Sequence, residues 1–256
     1  MPMHRIVVQI YEIQDPAEAD AVIGLGVDRI GSVILSEKDW KVPAIKDAIL
    51  VSKNARVKHS LIPLFSTTRV LFQCIEYYAP DVIHFCESFN DRRSLKSRCD
   101  ALTGLHVAVR ERFPDLEIMR TVPIGATGSA QGVPTFEVAK CFETTSDYFL
   151  VDTSLGSEPV HGFVGITGRT CDWTVARELT RKSPVPLILA GGLSPGNVYA
   201  AIMQVRPFGV DSCTRTNAVD GNGRPIRFRK DPGAVRAFVE AVRQAENDLS
   251  GEPDIE

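Results

Sequence analysis

Glycines and small polar residues follow two apolar runs in the C-terminal third of the chain. One run, 186–190, ends in a glycine pair, and the other, 208–210, ends in small polar residues. The residues concerned are Gly191, Gly192, Asp211, Ser212, Cys213 and Thr214. Loops of this kind at neighbouring strand ends bring free backbone N–H groups together, which suits a phosphate. We therefore predict a phosphate-binding site, with tight turns that hold no ligand as the alternative.

Side chains near other apolar runs are candidates for contact with the rest of a ligand. Asp152 ends the run 147–152, where it would act as a general acid or only cap the following loop. Arg215 would clamp a second anionic group. His84 alternates with Cys86 on one strand face, where a hydrogen-bonded core histidine is the commoner role. Arg120 would bind an anion or form a surface ion pair.

The elements that position these residues repeat along the whole chain. Short apolar strands are predicted near residues 5–10, 28–35, 60–65, 81–86, 116–123, 147–152, 186–190 and 208–210, each followed by a helix. Helical crossovers require parallel strands, so eight such units in 256 residues predict one domain, a (β/α)8 or TIM barrel. An open doubly wound sheet is the alternative, but the loop after the first strand lacks the glycines typical of that fold.

Three further segments have no place in the repeated units. Glycine-rich loops at 125–132 and 153–170 are candidates for covering the site. The acidic, polar tail 247–256 is expected to fray. A cluster of basic residues is expected to be a surface loop; its members are Arg224, Arg227, Arg229 and Lys230.

Composition excludes several classes of function. A net charge of −3 and a pI near 6.0 argue against a nucleic-acid surface, and no apolar run approaches the ~20 residues of a membrane span. Six scattered cysteines without a paired motif indicate neither a disulfide framework nor a zinc site, and they fit a reducing cytoplasm. We expect a cytoplasmic monomer or homodimer with no metal, no cofactor and no membrane or nucleic-acid partner.

Four motifs in this order resemble the phosphoribosylanthranilate isomerase family. They are GITGRTCDW (165–173), LAGGLSPGNV (189–198), VRPFGVDS (205–212) and KDPGAVRAFVEAVR (230–243), and the segment 8–33 is similar in pattern to the family's first β-α-β unit. The resemblance implies an Amadori rearrangement of a phosphorylated aminosugar in tryptophan biosynthesis. In that reaction a general acid helps to open the sugar ring and a general base moves the C2 proton.

The resemblance also implies roles for individual positions, and at two of them this sequence departs from the family pattern. Asp152 stands where the family has its acid. Tyr11 stands where the family has its base cysteine, and tyrosine has a pKa of about 10, far from that of a useful base. Glu12 is the neighbouring candidate base. Trp40 falls near the arginine that holds the anthranilate carboxylate, so Tyr11 and Trp40 would stack on a planar ring or fill a vacated pocket.

These departures lie at one end of the implied site, whereas the phosphate end is kept. They predict an enzyme of sugar-phosphate isomerase or lyase type that binds a different phosphorylated substrate, with absent or weak isomerisation of phosphoribosylanthranilate. An authentic phosphoribosylanthranilate isomerase and a non-catalytic protein that binds a phosphorylated metabolite are the two alternatives.

Overall fold

Eight parallel strands close into a barrel because β1 pairs with both β2 and β8. The computed structural model describes residues 5–89, 91–128, 132–156 and 160–251. The strands are β1 (Val7–Ile10), β2 (Arg29–Ile34), β3 (Lys58–Pro63), β4 (Val82–Phe85), β5 (Glu117–Gly125), β6 (Tyr148–Ser154), β7 (Leu187–Leu189) and β8 (Gly209–Ser212). The predicted TIM barrel is confirmed.

A helix follows each strand and covers the outside of the barrel. The helices are α1 (Pro16–Ile23), α2 (Pro43–Ala55), α3 (Thr68–Tyr78), α4 (Leu95–Arg112), α5 (Thr135–Phe142), α6 (Trp173–Lys182), α7 (Val198–Val205) and α8 (Pro232–Gly251). Asp15 begins α1 as its N-cap, because its carboxylate accepts hydrogen bonds from the backbone N–H groups of Ala17 and Glu18 at 2.8 and 3.1 Å. Among the helices of the described ranges, none is both long and apolar enough to cross a membrane.

Apolar side chains fill both faces of the barrel wall. Most of the core lies between the strands and the helices. A smaller cluster inside the barrel includes Tyr11, Met119, Leu150 and Ile188. Since successive residues of a strand point to opposite faces, only alternate residues can reach the barrel interior.

The basic segment near residue 227 lies at the surface, as expected, but it forms a β-hairpin and not a loop. The strands β9 (Asn217–Val219) and β10 (Pro225–Lys230) pair antiparallel between β8 and α8. Arg227 Nε donates to Glu12 Oε1 at 2.6 Å, and Lys230 Nζ donates to the carbonyl of Cys213 at 3.0 Å. These bonds fasten the hairpin to the ends of β1 and β8.

The C-terminal segment also differs from its prediction. Helix α8 continues to Gly251, so residues 247–251 are helical and not a frayed tail. Residues 252–256 lie outside the described part of the chain.

Candidate active site

A cavity opens at the carboxyl ends of the strands, where active sites of TIM barrels lie. The ends of β1, β4, β6, β7 and β8 line it, together with the loop between β6 and α6. The cavity brings together most of the residues singled out from the sequence: Tyr11, Glu12, His84, Asp152, Gly191, Gly192, Asp211, Cys213, Thr214 and Arg215. Trp40, Arg120 and Ser212 are not among its lining residues.

Asp152 presents a carboxyl group to this cavity from the end of β6. Its Oδ1 accepts the backbone N–H of Thr153 at 2.7 Å. Asp152 keeps some exposure to the cavity, but desolvation there raises its pKa to about 6. A side chain at Gly165 would place its Cβ 2.5 Å from Asp152 Oδ2, and one at Gly191 would lie 3.4 Å from Oδ1. Gly165 is thus required by the Asp152 carboxyl itself, whereas a Cβ on Gly191 would lie 2.5 Å from Oγ1 of the neighbouring Thr153.

The glycine pair after β7 lets that loop pack against the loop after β6. Gly191 and Gly192 have φ values of +83° and +60°, which favour glycine. A Cβ on Gly192 would lie 2.7 Å from the carbonyl carbon of Arg169. The hydroxyl of Ser212 donates to the carbonyl of Leu193 at 2.8 Å and so ties the loops after β7 and β8 together. Phosphate binding at these loops stays a prediction, but Ser212 supports the loops and does not line the cavity.

Tyr11 fills the barrel interior beneath the cavity. A Cβ on Gly31 of β2 would lie only 2.1 Å from Cε1 of the Tyr11 ring, so the ring occupies the space that Gly31 leaves open. The Tyr11 hydroxyl and His84 Nδ1 are 2.7 Å apart, and His84 Nε2 is 2.7 Å from Thr121 Oγ1. Burial raises the pKa of Tyr11 well above its usual value and lowers the pKa of His84 to about 3. Both groups are therefore neutral near pH 7.

Glu12 reaches the edge of the cavity but is held in an ion pair. Its backbone has a φ of +64°, and its side chain is almost fully buried. Its Oε1 accepts from Arg227 Nε at 2.6 Å. The guanidinium group stabilises the carboxylate, so the hairpin holds Glu12 in place.

Asp211 is a third carboxyl group of the cavity, and its side chain contacts the neighbouring strand β1. Its Oδ1 accepts from Gln9 Nε2 of the neighbouring β1 at 3.1 Å, in a buried contact. Burial raises the pKa of Asp211 to about 8, and the negative charge of Asp152 adds to this rise. A carboxyl group whose pKa lies near neutrality can accept and release a proton, so Asp211 suits proton transfer, and its contact with a phosphate stays a prediction. Sequence reasoning gives Gln9 no role, because its contact with Asp211 depends on the closure of β1 against β8.

Trp40 and Arg120 lie away from the cavity, so their predicted substrate contacts do not fit the structure. The Trp40 ring packs edge-on against Tyr77, with ring centroids 5.6 Å apart. Arg120 is fully buried and pairs with Glu87 at 2.5 Å, with Phe142 facing its guanidinium group. Since Thr121 lines the cavity, strand alternation directs Arg120 outward against the helices. Its ion pair is consequently a core contact and not a surface one.

The loop from β6 to α6 covers one side of the cavity. Its residues 160 and 163–168 line the cavity, whereas residues 157–159 lie outside the described ranges. The loop pairs with the chain after β4, where Ser88 N donates to the carbonyl of Gly162 and Val164 N donates to that of Cys86, both at 2.8 Å. On the other side, Arg215 donates through Nε and Nη2 to the carbonyl of Gly168 at 3.2 and 2.9 Å.

The second glycine-rich loop, 125–132, is described only in part, because residues 129–131 lie outside the described ranges. Its predicted role as a cover therefore stays a prediction. Within the described ranges, no group of three or more His, Cys, Asp or Glu side chains is placed to hold a metal ion.

Known proteins match this chain in sequence. A family model described as N-(5'phosphoribosyl)anthranilate (PRA) isomerase matches residues 117–241. The protein named N-(5'-phosphoribosyl)anthranilate isomerase from Methanosarcina acetivorans is 28% identical over 242 residues, which cover 92% of each chain. The family match spans Asp152, the glycine pair and the end of β8, so it covers the loops at which a phosphate site is predicted.

Solved structures are similar in fold. The N-(5'-phosphoribosyl)anthranilate isomerase of Pyrococcus furiosus has a TM-score of 0.63 and 23% identity, covering 94% of this chain and 99% of that one. A further structure, with a TM-score of 0.63 and 19% identity, is a phosphoribosyl anthranilate isomerase in complex with reduced 1-(o-carboxyphenylamino)-1-deoxyribulose 5-phosphate, and it covers 93% of this chain and 99% of that one. At these identities the likeness concerns the barrel fold.

Proposed function

Because this chain belongs to the phosphoribosylanthranilate isomerase family, we propose that it catalyses the Amadori rearrangement of N-(5'-phosphoribosyl)anthranilate, a step of tryptophan biosynthesis. The observation that carries the proposal is the Asp152 carboxyl, which faces the cavity beside the glycine pair. A phosphate bound at the glycine pair would leave the sugar ring within reach of that carboxyl group.

Asp152 acts as the general acid of ring opening. Its pKa of about 6 keeps a useful fraction of the group protonated near neutral pH, which an ordinary aspartate would not. The backbone N–H of Thr153 stabilises the carboxylate that remains after proton transfer. The loop after β6 limits the access of water to the opened sugar, since its residues 163–168 lie over the cavity.

A different phosphorylated substrate is the second candidate, and the far end of the cavity favours it. Tyr11, Val33, Ile62 and Leu64 line that end, and Arg215 is the only lysine or arginine among the lining residues. Arg215 lies beside Thr214 at the phosphate end. An anthranilate carboxylate at the far end would therefore lack a cationic partner, whereas an uncharged ring would pack well.

A comparison of two substrates tests both candidates. The purified protein is supplied with N-(5'-phosphoribosyl)anthranilate or with the matching aniline derivative, which lacks only the carboxylate, and the ketose product is separated chromatographically. Turnover of the anthranilate compound at the higher kcat/KM supports the first candidate. A preference for the aniline compound supports an altered substrate. Binding of both compounds without turnover would refute both and leave a non-catalytic binding protein.

The variant Asp152→Asn checks the acid role in the same assay. Loss of a positioned general acid typically lowers rates about 10²–10⁴-fold, so we expect kcat to fall by that order while the phosphate end still binds. The matched control is Asp20→Asn, the same chemical change on the exposed face of α1. Full activity of Asp152→Asn would remove Asp152 from the mechanism.

A further inference from the structure

Three carboxyl groups line the active-site cavity, and different partners hold them. Glu12 is paired with the Arg227 guanidinium group. Asp152 accepts a backbone N–H and lies beside the glycine pair. The carboxyl of Asp211 accepts a hydrogen bond from the neutral amide of Gln9 at 3.1 Å. A neutral amide orients a carboxyl group and stabilises its ionised form less than a cation does, so Asp211 remains able to accept and release a proton.

The other candidate proton acceptors of the cavity are unsuited to that role. The Tyr11 hydroxyl is hydrogen-bonded to His84, and the second ring nitrogen of His84 is hydrogen-bonded to Thr121. In either tautomer, both nitrogens of the His84 ring are therefore occupied. Burial raises the pKa of the Cys86 and Cys213 thiols far above neutrality, so both remain protonated and weakly nucleophilic.

The strand order places Asp211 where an acid–base pair is needed. Asp152 lies near the carboxyl end of β6 and Asp211 lies in β8, so in the closed barrel the two strands flank β7 and its glycine pair. A sugar phosphate held at the glycine pair would have one carboxyl group on each side. Both groups line the same cavity, and Gln9, the register partner of Asp211 on β1, holds the Asp211 carboxyl through a hydrogen bond.

We propose that Asp211 is the general base of the reaction and removes the proton from C2 of the ring-opened sugar. The assignment rests on the proposed rearrangement. The C2–H bond breaks, its electron pair forms a C1–C2 double bond, and the electron pair of the C1–N double bond returns to nitrogen. Asp211 returns this proton to C1 and the C2 hydroxyl gives its proton to water, so that the C2–O bond becomes the carbonyl of the ketose. Atoms and electrons balance without a co-reactant.

The proton affinity of Asp211 agrees with this role. Burial raises its pKa to about 8, against about 6 for Asp152, so Asp211 is the stronger base of the two. An enzyme that needs one carboxyl protonated and the other ionised has a bell-shaped profile of kcat/KM against pH. The two limbs are expected near pH 6 and pH 8. Because the two carboxyl groups interact, these apparent pKa values describe the pair and not either residue alone.

Hydrogen exchange of the product tests the assignment apart from ring opening. The ketose phosphate is already open, so exchange of its C1 hydrogens with D2O needs the base but not the ring-opening acid. The protein is incubated with the ketose made from N-(5'-phosphoribosyl)anthranilate, and loss of the C1 proton signal is followed by NMR. Wild type and Asp152→Asn are expected to exchange, and Asp211→Asn is expected to be about 10²-fold slower or worse.

The outcomes separate the two proposals. Exchange by Asp211→Asn at the wild-type rate overturns the base assignment and leaves the rearrangement standing. Loss of exchange in Asp152→Asn, with retention in Asp211→Asn, would move the base role to Asp152. A wild-type protein that neither exchanges nor isomerises refutes the proposed function and the base assignment with it. Thermal unfolding of each variant establishes that it is folded, and Asp20→Asn is the matched control.

Discussion

Replacing Asp211 by asparagine is expected to stabilise the fold while it removes activity. A carboxyl group whose native-state pKa lies above its unfolded-state value binds its proton more tightly in the folded protein. The stability of such a protein falls as pH rises from the unfolded pKa to the folded pKa. For Asp211 this window runs from about pH 4 to about pH 8. Asparagine carries no charge, so the variant does not lose stability in this pH window.

The expected magnitude follows from the rise of the Asp211 pKa from 3.8 to about 8. Each unit corresponds to about 1.4 kcal/mol, so the advantage of asparagine would be about 1.5 kcal/mol at pH 5 and about 5 kcal/mol at pH 8, as upper limits. The amide also offers an N–H to Gln9 Oε1, a buried atom that has no hydrogen-bond partner in the structure. Asparagine can therefore satisfy both polar groups of the Gln9 amide.

Urea unfolding at pH 5 and pH 8 measures this effect. The quantity of interest is the difference in free energy of unfolding between Asp211→Asn and wild type, compared with the same difference for Asp20→Asn on the surface. We expect the first difference to increase by a few kcal/mol between the two pH values and the second to stay near zero. A difference that does not change with pH, or a destabilised variant at pH 8, would refute the reasoning.

Two further substitutions probe the packing around the site. Gly31→Ala would push a methyl group into the Tyr11 ring, so we expect it to lower the free energy of unfolding by about 1–3 kcal/mol. The added change Tyr11→Leu should recover much of that loss. Equal stability of Gly31→Ala and wild type in urea would contradict this expectation. Glu87→Gln would leave the fully buried Arg120 charge unpaired, so we expect the free energy of unfolding to fall by about 3–5 kcal/mol. Glu76→Gln removes the partner of an exposed arginine and should lower it by under about 1 kcal/mol. Similar losses in the two variants would show that burial does not decide the size of the effect.

The barrel and the position of Asp152 and the glycine pair at the cavity follow from local sequence patterns. Each βα unit buries an apolar strand under an amphipathic helix, and this local requirement can be read without knowing the partner strand. Asp152 and the glycine pair lie directly at strand ends, where barrel topology alone directs them to the cavity. These features need only the order of the elements, which the sequence states.

The direction of individual side chains could not be predicted in the same way. Strand β5 is buried on both faces, so its apolar pattern does not reveal whether Arg120 or Thr121 faces inward. The contact between Gln9 and Asp211 depends on the register between the first and last strands, which no local pattern specifies. The family pattern puts Trp40 near the site, but a matching position in a pattern does not determine where a ring packs. The β9–β10 hairpin had a usable signal, since the turn between its strands reads DGNG at 220–223.

Closure of the barrel by β1 and β8 has a consequence for how the protein folds during synthesis. All four residues of β1 pair with β8, about 200 residues further along the chain, and Arg243 of α8 donates to the carbonyl of Ile6 at 2.9 Å and to Asp28 Oδ2 at 2.7 Å. Contacts of such sequence separation form late and slow folding. One edge of β1 therefore stays unpaired on the ribosome until nearly the whole chain has emerged. A strand of only four residues limits the aggregation that an open edge invites.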